Sequence, residues 1–333
     1  MIVSNFLSRI DNDNRNIEIW CSNEYELHMK FAKNFAENIT LFFQNYSNSR
    51  LNIIWKVIHV AIPNFHDNGI IYFGLVFYKE TDIIYDKKLY PITRKIEVAQ
   101  LVGRKVIQEW FNILLNNPLV ANYWMKKGFS ALFATYAVSK TYKDHRIINL
   151  FVVQNQHYSF NLDSYYMLNS TSRVNSSLEI PNFIRAPFIL RMMERLLAKE
   201  TYSELRSLYY RLSHCLSFAD FIAKFTATIN QDARVQLMRM EDWASQRRCP
   251  LIKVARNYSD PKNQTQVWVQ YFNDKIEVSY IPLTFTTETS PNFNNFTTYF
   301  LPVSRYYVFS FKEDRWVIFN LQQVGKYRQI NLL

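Results

Sequence analysis

Glycine and cysteine are both scarce in this chain of 333 residues, which contains five glycines and three cysteines. So little glycine, with no internal repeat, excludes collagen-like and low-complexity proteins. The cysteines, Cys21, Cys215 and Cys249, form no close pair, so the sequence indicates neither a cysteine-based zinc site nor a disulfide framework. One pairing among the three stays open.

Long hydrophobic runs are also missing. No segment approaches the roughly 18 apolar residues of a membrane span, and the opening stretch MIVSNFLSRIDNDNRN lacks the apolar core of a signal peptide. Asn-x-Ser/Thr sequons nevertheless favour a secretory origin, although an asparagine-rich chain produces some by chance. The candidate glycosylation sites are Asn38, Asn45, Asn169, Asn175, Asn257, Asn263 and Asn295.

The chain does have a hydrophobic content of 48% and an excess of basic residues, with 39 Lys and Arg against 28 Asp and Glu. The hydrophobic content is typical of a folded protein, and the length favours about two domains. The formal charge of +11 makes anionic partners worth considering. Nucleic-acid binding is not predicted, because the basic residues form no tail and the aromatic residues follow helix and strand patterns.

Hydrophobic spacing predicts an α+β fold. Apolar residues recur at helical spacing over 24–43, 97–111 and 123–138, and 188–229 is also helix-like. Alternating or continuous apolar runs predict strands at 16–20, 51–62 and 70–78. After Pro250 the chain consists of short alternating segments, which indicate a β-sandwich. A domain boundary is therefore expected near residue 250.

A series of segments, in the right order, resembles the aminopeptidase N family, the gluzincin type of zinc metallopeptidase. The first of them are IPNFHDNGIIYFGLVFYKE at 62–80, LVGRKVIQEWFN at 101–112, YWMKKGFS at 123–130 and FIRAPFILRMMERLL at 183–197. The others are MEDWASQRRCPLIKVAR at 240–256, YIPLTFTTETSPNF at 280–293 and RWVIFNLQQVGKYRQINLL at 315–333. The resemblance as a whole extends over nearly the whole chain, with these segments distributed from residue 62 to residue 333.

This resemblance implies a thermolysin-like catalytic-type domain over residues 6–250, followed by a β-sandwich domain over 251–333. Residues 1–5 look like a remnant of the family's N-terminal β-domain, and the family's large helical C-terminal domain is expected to be absent. An extracellular or membrane-associated location is also implied, although no signal peptide or anchor is visible in this sequence.

The six family positions with a chemical role all carry a different residue here. The zinc ligands correspond to Arg104, Gln108 and Lys127. The general base, the anchor of the substrate's free amine and the tyrosine that stabilises the oxyanion correspond to Lys105, Ile71 and Phe183. Arginine and charged lysine have no lone pair to offer, so only the Gln108 amide oxygen is a ligand for zinc. No bound metal or other cofactor is therefore expected.

The sequence thus predicts a non-catalytic homologue of zinc aminopeptidases that binds a peptide or protein partner through the inherited cleft. Two alternatives are an active aminopeptidase that removes N-terminal residues from peptides, and a truncated gene copy without selected function. At the site itself the cations either form an anion-binding or peptide-binding pocket or are ordinary polar replacements. The residues concerned are Arg104, Lys105 and Lys127, with Glu80, Asp86 and Glu109 as candidate acidic partners.

Overall fold

The structure is a computed structural model, and it describes about two thirds of the chain. The described residues are 7–10, 17–47, 56–66, 69–72, 74–114, 123–143, 146–161, 179–196, 235, 238, 243, 249–256, 264–270, 280–294, 297–302, 307–311 and 314–332. The chain divides into two compact units, the first running to Phe151 and the second starting at Val152. This division differs from the expected domain boundary near residue 250, which stays a prediction.

A mixed sheet forms the centre of the first unit. Its strands are β1 (Leu7–Ile10), β2 (Ile17–Ser22), β3 (Val57–Ile62), β4 (Ile70–Tyr72) and β5 (Leu75–Lys79), in the spatial order β1-β2-β3-β5-β4. β2, β3 and β5 run parallel, and the two edge strands are antiparallel to their neighbours. The predicted strand at 70–78 is two strands, because Gly74 turns the chain with a φ of 75°. β1 was not predicted.

Three helices of the first unit, α1, α3 and α4, lie where helical spacing predicted them and are somewhat longer, while α2 and α5 were not predicted. They are α1 (Glu26–Ser47), α2 (Glu80–Ile83), α3 (Ile92–Leu114), α4 (Tyr123–Tyr142) and α5 (Arg146–Phe151). α3 begins five residues before the predicted start, directly after Pro91, and proline commonly marks a helix N-terminus. None of the helices in the described part of the chain is long and apolar enough to cross a lipid bilayer.

α3 and α4 pack closely against each other. α3 buries Val98, Val102 and Val106, which recur every fourth residue and so lie on one face. A Cβ on Gly103 would lie 3.4 Å from the Cβ of Ala134 on α4, so glycine allows a short distance between the helix axes. The helix pair that carries most of the predicted site is therefore part of the hydrophobic core.

The second unit contains a helical part and two sheets. The helical part includes a π-helical turn at Val152–Gln156 and the helix α6 (Glu179–Leu196). The strands are β6 (Leu251–Arg256), β7 (Gln264–Gln270), β8 (Tyr280–Thr287), β9 (Thr297–Pro302), β10 (Tyr307–Ser310), β11 (Val317–Phe319) and β12 (Arg328–Leu332). One sheet has the order β10-β7-β6-β12 and the other β11-β8-β9. Strands are confirmed in each of the alternating segments predicted after Pro250, as far as the described residues extend, whereas β9 and β12 were not predicted.

Aromatic rings join the two sheets of the second unit. The ring centroid of Phe285 on β8 lies 5.4 Å from that of Tyr299 on β9 and 5.7 Å from that of Phe309 on β10. Phe311, which follows β10, is 5.4 Å from Phe285 and 6.3 Å from Phe319 on β11. Edge-to-face and stacked ring pairs at such distances are favourable beyond the area they bury.

The segment after β11 has an unusual backbone that α6 holds in place. Asn320, Gln322 and Gln323 have φ values of 51°, 52° and 49°, which cost side-chain-bearing residues free energy. Arg191 of α6 is 3% exposed and donates hydrogen bonds to the carbonyls of Gln322 and Gln323, at 2.9 and 3.0 Å. Gln156 donates to the same Gln323 carbonyl at 3.2 Å. These contacts fix the segment that precedes β12.

Candidate functional site

The residues that the resemblance equates with a zinc site lie on two packed helices of the first unit. Arg104, Lys105 and Gln108 belong to α3, and Lys127 belongs to α4. Because four residues make about one helical turn, Arg104 and Gln108 share one face of α3, while Lys105 and Glu109 share the next. The side chain of Lys127 lies outside the described residues.

Lys105 is the most informative of these residues because its side chain is buried. Only 7% of it is exposed, and its Nζ donates a hydrogen bond to the carbonyl of Gly69. Gly69 has a φ of 115°, and a Cβ there would lie 2.6 Å from Cε of Lys105. Glycine is thus required both by the backbone and by the approach of the lysine. Lys105 ties α3 to the residue directly before β4.

Glu109 ties α3 to the other end of the same strand. Its Oε1 accepts a hydrogen bond from the backbone N–H of Gly74 at 2.6 Å, and its side chain is 1% exposed. Oε2 has no hydrogen-bond partner among the described residues. Burial raises the pKa of Glu109 to about 7, against the opposing effect of the Gly74 hydrogen bond. We call Lys105 and Glu109, with Gly69 and Gly74, the β4 clamp.

Ile71 lies in the middle of the strand that the β4 clamp holds. It is half-buried and pairs with Val76 in the antiparallel register of β4 and β5. The family position that binds the substrate's amine is equated with Ile71, and an aliphatic side chain offers no acceptor. Phe183 lies in α6 of the second unit, and its side chain is outside the described residues.

Arg104 is the cation of the described site that a solute can reach. More than a third of its side chain is exposed, yet desolvation by the surrounding protein lowers its pKa. The guanidinium thus meets water, although protein atoms surround part of the side chain. A guanidinium remains charged under these conditions. Next to it on the same face, Oε1 of Gln108 is buried and has no hydrogen-bond partner among the described residues.

Two of the expected acidic partners of the cations bond to other groups. Glu80 accepts hydrogen bonds from the backbone N–H and the hydroxyl of Ser22, at 2.8 and 3.1 Å. Asp86 lies 3.2 Å from Nδ1 of His28 and accepts a hydrogen bond from the N–H of Lys88 at 2.7 Å. A pairing of Glu80 or Asp86 with the cations of the site stays a prediction, since the side chain of Lys127 lies outside the described residues. Both lie in segments whose neighbours in space the sequence does not reveal.

Sequence reasoning missed a buried polar pair behind the site. Nδ1 of His59 on β3 lies 2.9 Å from the hydroxyl of Tyr78 on β5, and each residue is 1% exposed. Burial lowers the pKa of His59 to about 4. The pKa of Tyr78 is raised by burial and by the charge of Glu109, which places the three groups in one region. Polar residues at alternate positions of apolar strands were the available signal.

We expect His59 and Glu109 to give unfolding free energies that change with pH in opposite directions. Because the pKa of His59 is lower in the folded chain, neutral His59 contributes stability above pH 6.5, and this contribution is lost as the pH falls toward 4. Because the pKa of Glu109 is higher in the folded chain, protonated Glu109 contributes stability below pH 4.5, and this contribution is lost as the pH rises toward 7. Each contribution is about 3 kcal/mol at 1.36 kcal/mol per pKa unit.

Two single substitutions are therefore expected to reveal the pH dependence of one group each. In Glu109→Gln only His59 of the two titrates, so the urea concentration at the unfolding midpoint should rise with pH between about 4 and 6.5. In His59→Gln only Glu109 of the two titrates, so this urea concentration should fall as the pH rises between about 4.5 and 7. His66→Gln, at an exposed position, is the control and should keep the wild-type profile. Parallel profiles of the two variants would contradict this assignment.

One of the candidate glycosylation sites is placed by the structure. Asn38 is exposed on α1, and Thr40 of its sequon donates a hydrogen bond to the carbonyl of Ala36 at 2.9 Å. The side chain of Asn45 lies outside the described residues. So do the remaining candidates, which are Asn169, Asn175, Asn257, Asn263 and Asn295.

The donor chemistry of the described site residues does not fit zinc. Zinc prefers imidazole, thiolate or carboxylate ligands, and catalytic sites commonly use three from the protein. The described residues at the equivalent positions offer a guanidinium and one amide oxygen, from Arg104 and Gln108. Within the described ranges, no group of three His, Cys, Asp or Glu side chains is arranged to hold a metal ion.

Comparisons with known proteins identify the relatives of this chain. The sequence model of the family described as the peptidase family M1 domain matches residues 31–243 of this chain. Human glutamyl aminopeptidase is 21% identical over 271 residues, which is 78% of this chain and 27% of the relative. Human endoplasmic reticulum aminopeptidase 2 is 23% identical over 362 residues, 93% of this chain and 36% of the relative.

An insect relative extends the same pattern. The membrane alanyl aminopeptidase of Heliothis virescens is 23% identical over 300 residues, which is 82% of this chain and 29% of that protein. The chain thus spans about a quarter to a third of the length of the curated relatives it matches. Because the family match covers well over half of its residues, this chain belongs to peptidase family M1.

Proposed function

We propose that this chain is a non-catalytic member of the M1 family, whose inherited cleft binds a peptide or protein partner. The observation that carries the proposal is the state of Lys105, which stands at the position equated with the general base. Its ammonium is buried and donates a hydrogen bond to the carbonyl of Gly69. A group in this state holds the fold together and has no lone pair with which to accept a proton.

The other positions of the site support the same conclusion. Arg104 and Gln108 are unsuited to hold zinc, so no cofactor is expected to supply a polarised water or carbonyl. Ile71 has no acceptor for a substrate's amine, and a phenyl ring at Phe183 has no hydroxyl to stabilise an oxyanion. The proposal is thus that metal ligands, base, amine anchor and oxyanion stabiliser are all replaced.

Metal content and peptidase activity test this proposal directly. We expect purified protein dialysed against zinc to carry far less than one zinc per chain by elemental analysis, and to hydrolyse aminoacyl amides no faster than buffer. An active family member, treated in parallel, is the positive control. Stoichiometric zinc, together with turnover that a chelator abolishes, would overturn the proposal and favour the active aminopeptidase suggested by the names of the relatives.

The binding part of the proposal concerns the exposed cation. Arg104 is open to solvent, whereas the ammonium of Lys105 is bound to Gly69, so an anion-binding or peptide-binding pocket would rest on Arg104 and Lys127. Fluorescent acidic peptides should bind the wild type and bind Arg104→Glu/Lys127→Glu at least about tenfold more weakly, a difference of about 1.4 kcal/mol. Equal binding by the wild type and the variant would favour one of the two alternatives: that the cations are ordinary polar replacements, or that the chain is a truncated gene copy without selected function.

The wider architecture and location belong to the same proposal. We place a thermolysin-like domain at 6–250 and a β-sandwich at 251–333, the latter supported by the ring contacts between Phe285 and Phe309. An extracellular or membrane-associated location, with glycosylation of exposed Asn38, follows from the relatives and the sequons. Nucleic acid is not among the proposed partners.

A further inference from the structure

A tight turn of the first unit, residues 86–92, presents apolar side chains to solvent. Leu89 is 70% exposed, Ile92 is 64% exposed and Tyr90 is 40% exposed. Single exposed apolar residues are ordinary on protein surfaces, but several within one turn mark a surface that contacts something else. We call residues 86–92 the apolar turn.

The apolar turn is held in one conformation by its own hydrogen bonds. The N–H groups of Leu89 and Tyr90 donate to the carbonyl of Asp86, at 3.1 and 2.9 Å. The Asp86 carboxylate accepts from the N–H of Lys88 and lies 3.2 Å from Nδ1 of His28 on α1. The exposed side chains are therefore already presented outward, so binding through them costs little ordering entropy.

The exposed charges of the apolar turn itself are positive. Its one acid, Asp86, is half-buried and lies 3.2 Å from Nδ1 of His28, while the acids on either side of the turn, Asp82 and Glu97, lie outside it. Lys87 and Lys88 are exposed and have no acidic partner among the described residues. Two exposed ammonium groups thus directly precede the exposed leucine, in a chain whose formal charge is +11.

We propose that the apolar turn is a membrane-binding element, which inserts Leu89 and Ile92 into the interfacial region of an anionic lipid bilayer. Lys87 and Lys88 would then meet the lipid headgroups, and Tyr90 would lie at the interface, where tyrosine is favoured. A protein partner fits less well, because a stable protein interface buries about 800 Å² on each side. A projecting turn with three apolar side chains offers far less area.

Vesicle binding tests the proposal. We expect the whole chain to sediment with phosphatidylcholine vesicles that contain phosphatidylserine, much less with phosphatidylcholine alone, and less at high salt. Lys87→Gln/Lys88→Gln should weaken binding about thirtyfold, since each lysine near an anionic surface contributes about 1 kcal/mol. Leu89→Ser/Ile92→Ser should weaken it by at least about tenfold, because burial of apolar groups is lost.

Matched variants distinguish this turn from nonspecific adsorption. Leu41→Ser removes an apolar side chain that is 49% exposed on α1, and Lys140→Gln removes an exposed cation on α4. Both should bind vesicles as the wild type does, with unchanged circular dichroism in all variants. The proposal is overturned if the wild type ignores anionic vesicles or if Leu89→Ser/Ile92→Ser binds equally well. The proposal is also overturned if the wild type self-associates in sedimentation velocity and Leu89→Ser/Ile92→Ser abolishes that association, because the apolar turn would then contact a second copy of the chain.

Discussion

Replacing Gly325 by alanine is expected to destabilise the second unit by at least about 3 kcal/mol, because overpacking at a rigid site forces its neighbours to move. The new Cβ would lie 2.6 Å from both Cδ1 and Cζ of the Tyr327 ring, and closer still to Cε1. That ring is 1% exposed and cannot turn into solvent. Urea or thermal unfolding of the purified variant measures the loss.

The backbone around Gly325 leaves little room for relaxation. Its N–H donates to Oδ1 of Asn320 at 2.9 Å, while the N–H of Lys326 points to the sulfur of Met192 at 3.5 Å. Beyond the tyrosine, the N–H of Arg328 donates to the carbonyl of Pro250 at 2.9 Å, at the start of the parallel pairing of β12 with β6. The residues on both sides of Tyr327 are therefore fixed.

Two further variants separate this clash from a general effect of adding a methyl group. Gly103→Ala adds the same atom on α3, where the nearest contacts are 3.4 Å and longer. It should change the free energy of unfolding by less than about 1 kcal/mol, since alanine also favours the helix. In the Gly325→Ala background, Tyr327→Ala should cost less than it does alone, because it removes the clash. Additive effects would contradict the packing described for Gly325.

The elements of the fold were predictable because their signals are local. The helical spacing in α1, α3 and α4 and the alternation in β6, β7, β8, β10 and β11 depend on residues a few positions apart. The bounds were less accurate, as the start of α3 at Ile92 shows. A proline before a helix, and the turn at Gly74 that splits 70–78 into two strands, act through backbone geometry that hydrophobic spacing does not report.

The roles of the site residues were less predictable because they depend on distant contacts. The resemblance placed Lys105 at a catalytic position, and an anion pocket was the chemical hypothesis for its charge. Its hydrogen bond joins residues 36 positions apart, to a glycine whose positive φ is a property of the fold. Arg191 and Gln323 are likewise 132 positions apart. Such pairs follow from the tertiary structure, which a single sequence does not specify.

Replacing Lys105 by glutamate is expected to destabilise the first unit by about 3–5 kcal/mol. The substitution removes the donor to the Gly69 carbonyl and sets a second carboxyl one turn from Glu109. Deprotonation of either carboxyl is unfavourable in this buried region, since Glu109 alone already has a pKa of about 7. The loss should therefore be larger at neutral than at acidic pH.

Variants at and beside Lys105 determine whether the buried charge causes this loss. Lys105→Met keeps the length of the side chain and should cost only about 1–3 kcal/mol, for one unmade hydrogen bond. Glu109→Gln should reduce the cost of Lys105→Glu, and Arg104→Glu, at the exposed neighbouring position, should cost less than about 1 kcal/mol. If Lys105→Glu unfolds at the wild-type urea concentration at neutral pH, the β4 clamp is not a stabilising contact. If the expected loss is found, the buried ammonium of Lys105 and its hydrogen bond to Gly69 hold α3 against β4, which is the structural role assigned to this residue.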